Sequence, residues 1–166
     1  NKKCISYLTI ENRGSIPRSL RTHLMDWIFG CDICQEVCPV NRKARYSQEP
    51  EFRRGGFTTL ELVDILEMTE EEFQQRFRGS PLKRAKRVGL QRNACVALGN
   101  LGDSQAIPAL VRALLQGELL VRGHAAWALG KLGGQIAIST LEESLAPEKD
   151  PWVREEIELA LNKHNC

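Results

Sequence analysis

Three cysteines fall within "GCDICQEVCPVN", residues 30–41: Cys31, Cys34 and Cys38, the last followed directly by Pro39. Thiolates this close in sequence, carried on successive backbone turns, can be aimed at one inorganic cluster while neighbouring N–H groups bond its sulfurs. Bacterial-type iron–sulfur proteins use C-x2-C-x2-C-x3-C-P, in which the last cysteine serves a second cluster. Cys31, Cys34, Cys38 and Pro39 match the end of that pattern, but Ile28 stands where its first cysteine belongs, and Cys4 is the nearest substitute ligand. Three arrangements follow. All four thiolates hold a single 4Fe–4S cluster; or Cys4, Cys31 and Cys34 supply three ligands to one cluster while Cys38 belongs to another, the remaining ligands lying before Asn1; or the four bind structural zinc. Zinc sites usually pair two C-x2-C knuckles, whereas C-x3-C-P is the iron–sulfur form.

A second stretch, "SPLKRAKRVGLQRN" (residues 80–93), could bind anions. With Ser80 as cap and Pro81 in the first turn, a helix here places Leu82, Ala85, Val88 and Gly89 on one side. Lys83, Arg84, Lys86 and Arg87 fall on the other. Arg76, Arg78 and Arg92 extend the patch, and Gln91 and Asn93 add polar groups. A merely solvated face interleaves signs to avoid repulsion, yet between Phe73 and Gly102 there are seven Lys/Arg and no acid. The pattern favours contacts to a phosphate backbone, which fix position and give salt-dependent affinity without reading sequence. Arg42, Lys43, Arg45 and Tyr46 form a weaker second candidate, a structural loop being an equal reading.

The elements that must position these groups are mostly helical. Ser15-Ile16-Pro17 opens a helix expected to run from Pro17 to Phe29, with Ser15 or Ile16 as cap and Gly30 ending it before Cys31. Residues 39–56 read as a polar loop. Thr58 with Glu61, and Thr69 with Glu72, each make an S/T-x-x-E capping box, predicting helices over Thr59–Leu66 and Glu70–Arg78, the second stopped by Gly79. Beyond residue 80 the sequence repeats: "RNACVALGNLGD", "VRGHAAWALGKLGG" and "WVREEIELAL" place Arg92, Arg122 and Arg154 30 and 32 residues apart. That period predicts helix pairs stacked into a HEAT-type solenoid. Small residues such as Ala94, Ala125 and Ala160 let helices approach, and Gly99, Gly102, Gly130 and Gly133 mark helix ends. Such a stack binds partners and does no chemistry of its own.

Composition sets the bounds. The 166 residues are 42% hydrophobic and 27% charged with a net charge of +2, ordinary for a soluble chain. No apolar run reaches the ~20 residues of a membrane helix, and Asn1-Lys2-Lys3-Cys4 does not open a signal peptide. The chain lacks an initiator Met and reads as a piece of a longer protein. Of six cysteines, Cys95 and Cys166 stand alone, and a mostly helical chain is not a small disulfide scaffold, so a metal-binding, cytoplasmic use of cysteine is expected. Cys95 and Trp27, Trp127 and Trp152 read as core; His23, His124 and His164 read as structural or surface residues; Arg122 and Arg154 read as partners of nearby carboxylates or carbonyls.

"CISYLTIENRGSIP", "GCDICQEVCPVN" and "GSPLKRAKRVGLQRNACVALGN", in this order, resemble the C-terminal part of the epoxyqueuosine reductase family and cover most of residues 4–101. The resemblance implies a mostly α chain: a partial ferredoxin-like iron–sulfur module over residues 1–50, a connecting loop with short helices over 51–79, and a HEAT-like α-solenoid over 80–166. It implies a parent enzyme that uses cobalamin and two 4Fe–4S clusters to reduce epoxyqueuosine to queuosine in tRNA. Cys4, Cys31 and Cys34 would then serve the cluster nearer the cobalamin and Cys38 the other, with Ser6 and Asp32 near the cobalamin. Lys83, Arg84, Lys86, Arg87, Arg92 and Asn93 would dock the anticodon stem-loop. The expected partners are tRNA and a reducing electron donor, with no membrane, in a monomeric cytoplasmic protein. The catalytic domain and the first cysteine motif are absent from these residues, so the segment alone should not turn over substrate. The reading from a different class is a HEAT-repeat interaction scaffold whose cysteine cap holds structural zinc or a single cluster.

Overall fold

The computed structural model describes residues 2–43 and 59–162, and among these there is no strand. The C-terminal two thirds are helix pairs: α3 (Thr59–Glu67) with α5 (Lys86–Leu101), α6 (Ile107–Gln116) with α7 (Leu119–Leu132), and α8 (Gln135–Leu145) with α9 (Pro151–Leu161). α5, α7 and α9 lie side by side as one layer, and α3, α6 and α8 form the other. The pattern of burial explains the division. α6 buries one stripe, Ala109, Leu110 and Leu114, as an outer helix does. α5 is buried without a break from Gly89 to Gly99, because helices cover one side and the N-terminal segment covers the other. α3, expected to belong to a connecting stretch, is thus the outer helix of the first pair, and α4 (Glu70–Arg76) is an insertion within it.

Local chemistry starts these helices. Thr69 and Glu72 make the reciprocal capping box before α4, at 3.2 and 2.8 Å; Thr58 of the other expected box lies outside the described residues. Asp150 accepts the N–H groups of Trp152 and Val153 at the start of α9, with Pro151 in its first turn. Gly102 and Gly133 end α5 and α7 at positive φ. Gly99 and Gly130, expected at helix ends, lie inside the helices. A Cβ on Gly130 would stand 2.4 Å from that of Ala160, so the α7–α9 approach requires its absence.

Two expected helices are broken. The Pro17–Phe29 segment forms only α1 (Arg18–Arg21) and a 3-10 turn, Thr22–Leu24. The Asn100 side-chain amide takes the carbonyls of Arg21 and Met25, which a continuing helix would need, and Met25 turns the chain at φ 48°. Neither Ser15 nor Ile16 is the cap; Pro17 holds that position without a side-chain bond, and the Ile16 N–H goes elsewhere. The basic helix is likewise a 3-10 turn, Pro81–Ala85, followed by α5, with a corner at Lys86 (φ 61°). The Ala85 carbonyl accepts from Arg13 at 3.2 Å.

Leu8, Ile16, Leu24 and Ile28 belong to the same contiguous core as the repeat residues Leu90, Leu98, Leu129 and Ile157. The cysteine segment is therefore packed into the solenoid rather than tethered to it.

Candidate metal centre and nucleic-acid interface

Cys4 and Cys34 are exposed, Cys31 and Cys38 half-buried, and all four are free thiols. Cys4 begins a helical turn through the Leu8 N–H (2.9 Å), which continues as a π-helical turn over Tyr7–Glu11. Gly30, at φ 76°, turns the chain into Cys31. α2 (Ile33–Glu36) carries Cys34, and the Cys38 N–H closes on the Gln35 carbonyl at 3.3 Å. Asn41 returns its side-chain amide to Gln35 at 2.9 and 3.0 Å, fixing the loop after Cys38. Among the described residues no three His, Cys, Asp or Glu side chains stand together as a metal site. Four accessible thiols in this spacing suit an iron–sulfur donor set by their chemistry, but they are not gathered into one four-ligand site within the chain. Ser6 is half-buried and Asp32 exposed; two such side chains flank the thiols but do not build a pocket for a corrin.

What holds this surface in place is a row of buried polar groups on the inner helices. Asn93, His124 and Glu156 each stand one helical turn before the alanine of an Ala-Leu pair: Ala97, Ala128 and Ala160. Each is buried, and each bonds a different stretch of the N-terminal segment. Asn93 donates to the carbonyls of Thr9 and Ile28, both at 2.8 Å. His124 Nε2 accepts the Ile16 N–H at 3.1 Å while its Nδ1 donates to the Leu120 carbonyl at 2.7 Å. Burial, reinforced by the charge of Arg21, lowers the His124 pKa well below its usual 6.5, so the ring is neutral. Glu156 receives Arg21 at 2.6 and 2.8 Å and Arg18 at 2.6 Å.

Arg92 and Asn93, expected at the RNA face, are therefore corrected: both are interior, with polar groups already engaged. Arg92 donates to the carbonyls of Leu8 (2.9 Å), Asn12 (2.9 Å) and Gly14 (2.7 Å). Burial first, and then the charge of Arg13, lower its pKa to about 10, so it stays protonated at neutral pH. Arg122 pairs with Glu148 at 2.9 and 3.0 Å, and Arg154 donates to the carbonyls of Leu145 and Glu148. Burial alone would raise the Glu148 pKa, but Arg122 and the N–H groups of Asp150 and Lys149 bring it below the usual value. Burial pushes the Cys95 thiol well up, as expected of a core residue.

The remaining cations split. Arg84 is paired with Glu11, and Arg87 bonds Glu70 at 3.0 Å and Glu118 at 2.6 Å. The acids missing from the local sequence thus arrive from α4, the cap residue of α7 and the cysteine segment. Among the described residues neither Lys83 nor Lys86 is in a salt bridge; Lys86 is exposed at the corner where α5 begins and Arg78 is exposed just after α4, whereas Arg76 lines a cavity with Asp64, Glu67 and Glu72 and does not extend the basic corner. Arg42 and Lys43 are also exposed; Arg45 and Tyr46 lie outside the described residues. Reading the sequence missed Arg21 and Glu156. The recoverable signal was the shared register of Asn93, His124 and Glu156 before the Ala-Leu pairs; aligning the repeats on their arginines keeps His124 with Glu156 and shifts only Asn93, by one residue.

A family of 4Fe–4S double-cluster-binding domains matches residues 1–41, and HEAT repeats match residues 82–162. The chain is 40% identical over 134 residues to an epoxyqueuosine reductase of Xanthomonas campestris, covering 80% of this chain and 38% of that protein. With the Bacillus subtilis enzyme of the same name it shares 33% over 159 residues, covering 95% of this chain and 41% of that one. A crystal structure of epoxyqueuosine reductase with an epoxyqueuosine-modified tRNA-Tyr stem loop superposes with a TM-score of 0.84 at 32% identity, covering 98% of this chain and 44% of that one. The chain thus spans about two fifths of the length of these relatives. Among the described residues no helix is long and apolar enough to cross a membrane.

Proposed function

Because the chain belongs to the epoxyqueuosine reductase family, we propose that it forms the electron-delivering and tRNA-docking part of an enzyme reducing epoxyqueuosine to queuosine in tRNA. The observation that carries this reading is one packed body with free thiols on one segment and a basic corner beside it. Cys4, Cys31 and Cys34 are proposed as three ligands of one 4Fe–4S cluster and Cys38 as a ligand of a second. The other ligands come from residues outside this chain. The dispersed thiols support that division. Bound clusters supply single electrons, and the chain's part is to fix the thiolates and their distance from the RNA. The exposed Val37 and Val40, at 66% and 83%, suit a surface that further protein covers.

A cobalamin belongs to the proposal as a group held elsewhere in such an enzyme, with Ser6 and Asp32 at its edge. Lys83, Lys86 and Arg78 are the proposed phosphate contacts, with the neighbouring Arg84 and Arg87 engaged in ion pairs. The protein is proposed to be a cytoplasmic monomer served by a reducing electron donor.

The test is made on the complete gene product, purified without oxygen. It should contain iron and sulfide, with broad absorption near 400 nm, and bind a tRNA anticodon stem-loop. Reversing the charge of Lys83, Lys86 and Arg78 should weaken binding and flatten its salt dependence by about two to three in the log–log slope. Absence of iron, or unchanged stem-loop affinity in the variant, would refute the corresponding half of the reading.

A further inference from the structure

Thr9 is not a ligand itself, but it bonds the backbone beside two of the cysteines. It is buried, and its hydroxyl donates to the Ile5 carbonyl at 2.8 Å and accepts the Gly30 N–H at 3.0 Å. Ile5 follows Cys4 and Gly30 precedes Cys31. One hydroxyl thus joins the neighbours of two cysteines that are far apart in sequence. Asn93 closes the same junction from the solenoid. Its amide spans the Thr9 and Ile28 carbonyls, and its oxygen accepts from Arg92 at 2.9 and 3.1 Å, so all of its hydrogen-bonding capacity is used. The strand-like alternative of pairing the two segments through their backbones is absent among the described residues.

We propose that Thr9, clamped by Asn93, is a positioning residue that sets the separation of Cys4 from Cys31 and so completes a cluster's ligand set. The proposal rests on the cluster assignment above. Cys4 and Cys31 sit on separate backbone segments, so no local turn fixes their distance. A cluster accepts only a narrow range of ligand positions, and outer partners of metal ligands are commonly worth a large factor in metal retention. Asn93 makes the first inner helix of the solenoid the template for that geometry.

The experiment compares Thr9→Val, nearly isosteric but without the hydroxyl, with Thr9→Ser, which keeps it, in the complete protein purified without oxygen. The readouts are iron release to a chelator and the electron paramagnetic resonance spectrum of the reduced clusters. Thr9→Val should lose one cluster about tenfold faster and alter its signal, with Thr9→Ser restoring both. His124→Leu breaks the same seam at Ile16, away from the cysteines, and should lower the melting temperature without hastening iron release. If Thr9→Val holds iron like the wild type, or if His124→Leu loses it equally fast, Thr9 is only a packing residue and the proposal falls. A wild-type protein without iron would instead sink the cluster assignment together with this inference.

Discussion

Single buried polar residues decide more here than the exposed ones that catch the eye in the sequence. Arg21 is 1% exposed and Glu156 is 5% exposed, and removing one partner of such a pair leaves the other charged and unsolvated. Glu156→Ala should destabilise the protein by about 3–5 kcal/mol, measured by urea unfolding. His124 gives a pH dependence whose sign follows from its neutral buried ring. Its pKa is lowered by folding, so the unfolded chain binds the extra proton first and stability is lost as pH falls below 6.5. The loss should approach about 1.4 kcal/mol per pH unit for this one group. His124→Gln, which can still accept the Ile16 N–H, should flatten melting temperature against pH between 7 and 5. His124 was legible as structural from its place in a repeat helix. Its bond to Ile16 was not, because nothing local links residues so far apart.

Among the elements, the corner between the Pro81–Ala85 turn and α5 is where sequence and structure diverge most. Periodicity over residues 80–93 fits a single helix, since apolar and basic residues do alternate with its period. The chain breaks because Arg13 takes the Ala85 carbonyl and the π-helical turn packs against the 3-10 turn. Lys86 then adopts φ 61° with ψ 159°, a region that suits glycine and costs other residues about 1–3 kcal/mol. Lys86→Gly should therefore raise the melting temperature or leave it unchanged while weakening stem-loop binding, a pair of effects that simple loss of structure cannot produce. The α7–α9 contact behaves oppositely. Gly130→Val should cost about 1–3 kcal/mol, because Ala160 on the facing helix has no room to move aside.

For the whole molecule, one core joins the cysteine segment to the repeats. Unfolding should be a single cooperative transition by both circular dichroism and tryptophan fluorescence. Deleting residues 1–43 should abolish that transition or lower its midpoint sharply, since Arg92, Asn93, His124 and Glu156 would lose the partners that make their burial tolerable. Capping residues and a period near thirty were enough for the sequence to determine the helical class and the repeat stack, because each is written in residues near one another in the chain. Only the tertiary structure decided that Arg92 and Asn93 face inward, that Arg84 and Arg87 find acids from other elements, and that Thr9 links Ile5 to Gly30, the neighbours of Cys4 and Cys31. Those outcomes depend on distant segments meeting, and a buried polar group has the same local signature as an exposed one until its partner arrives.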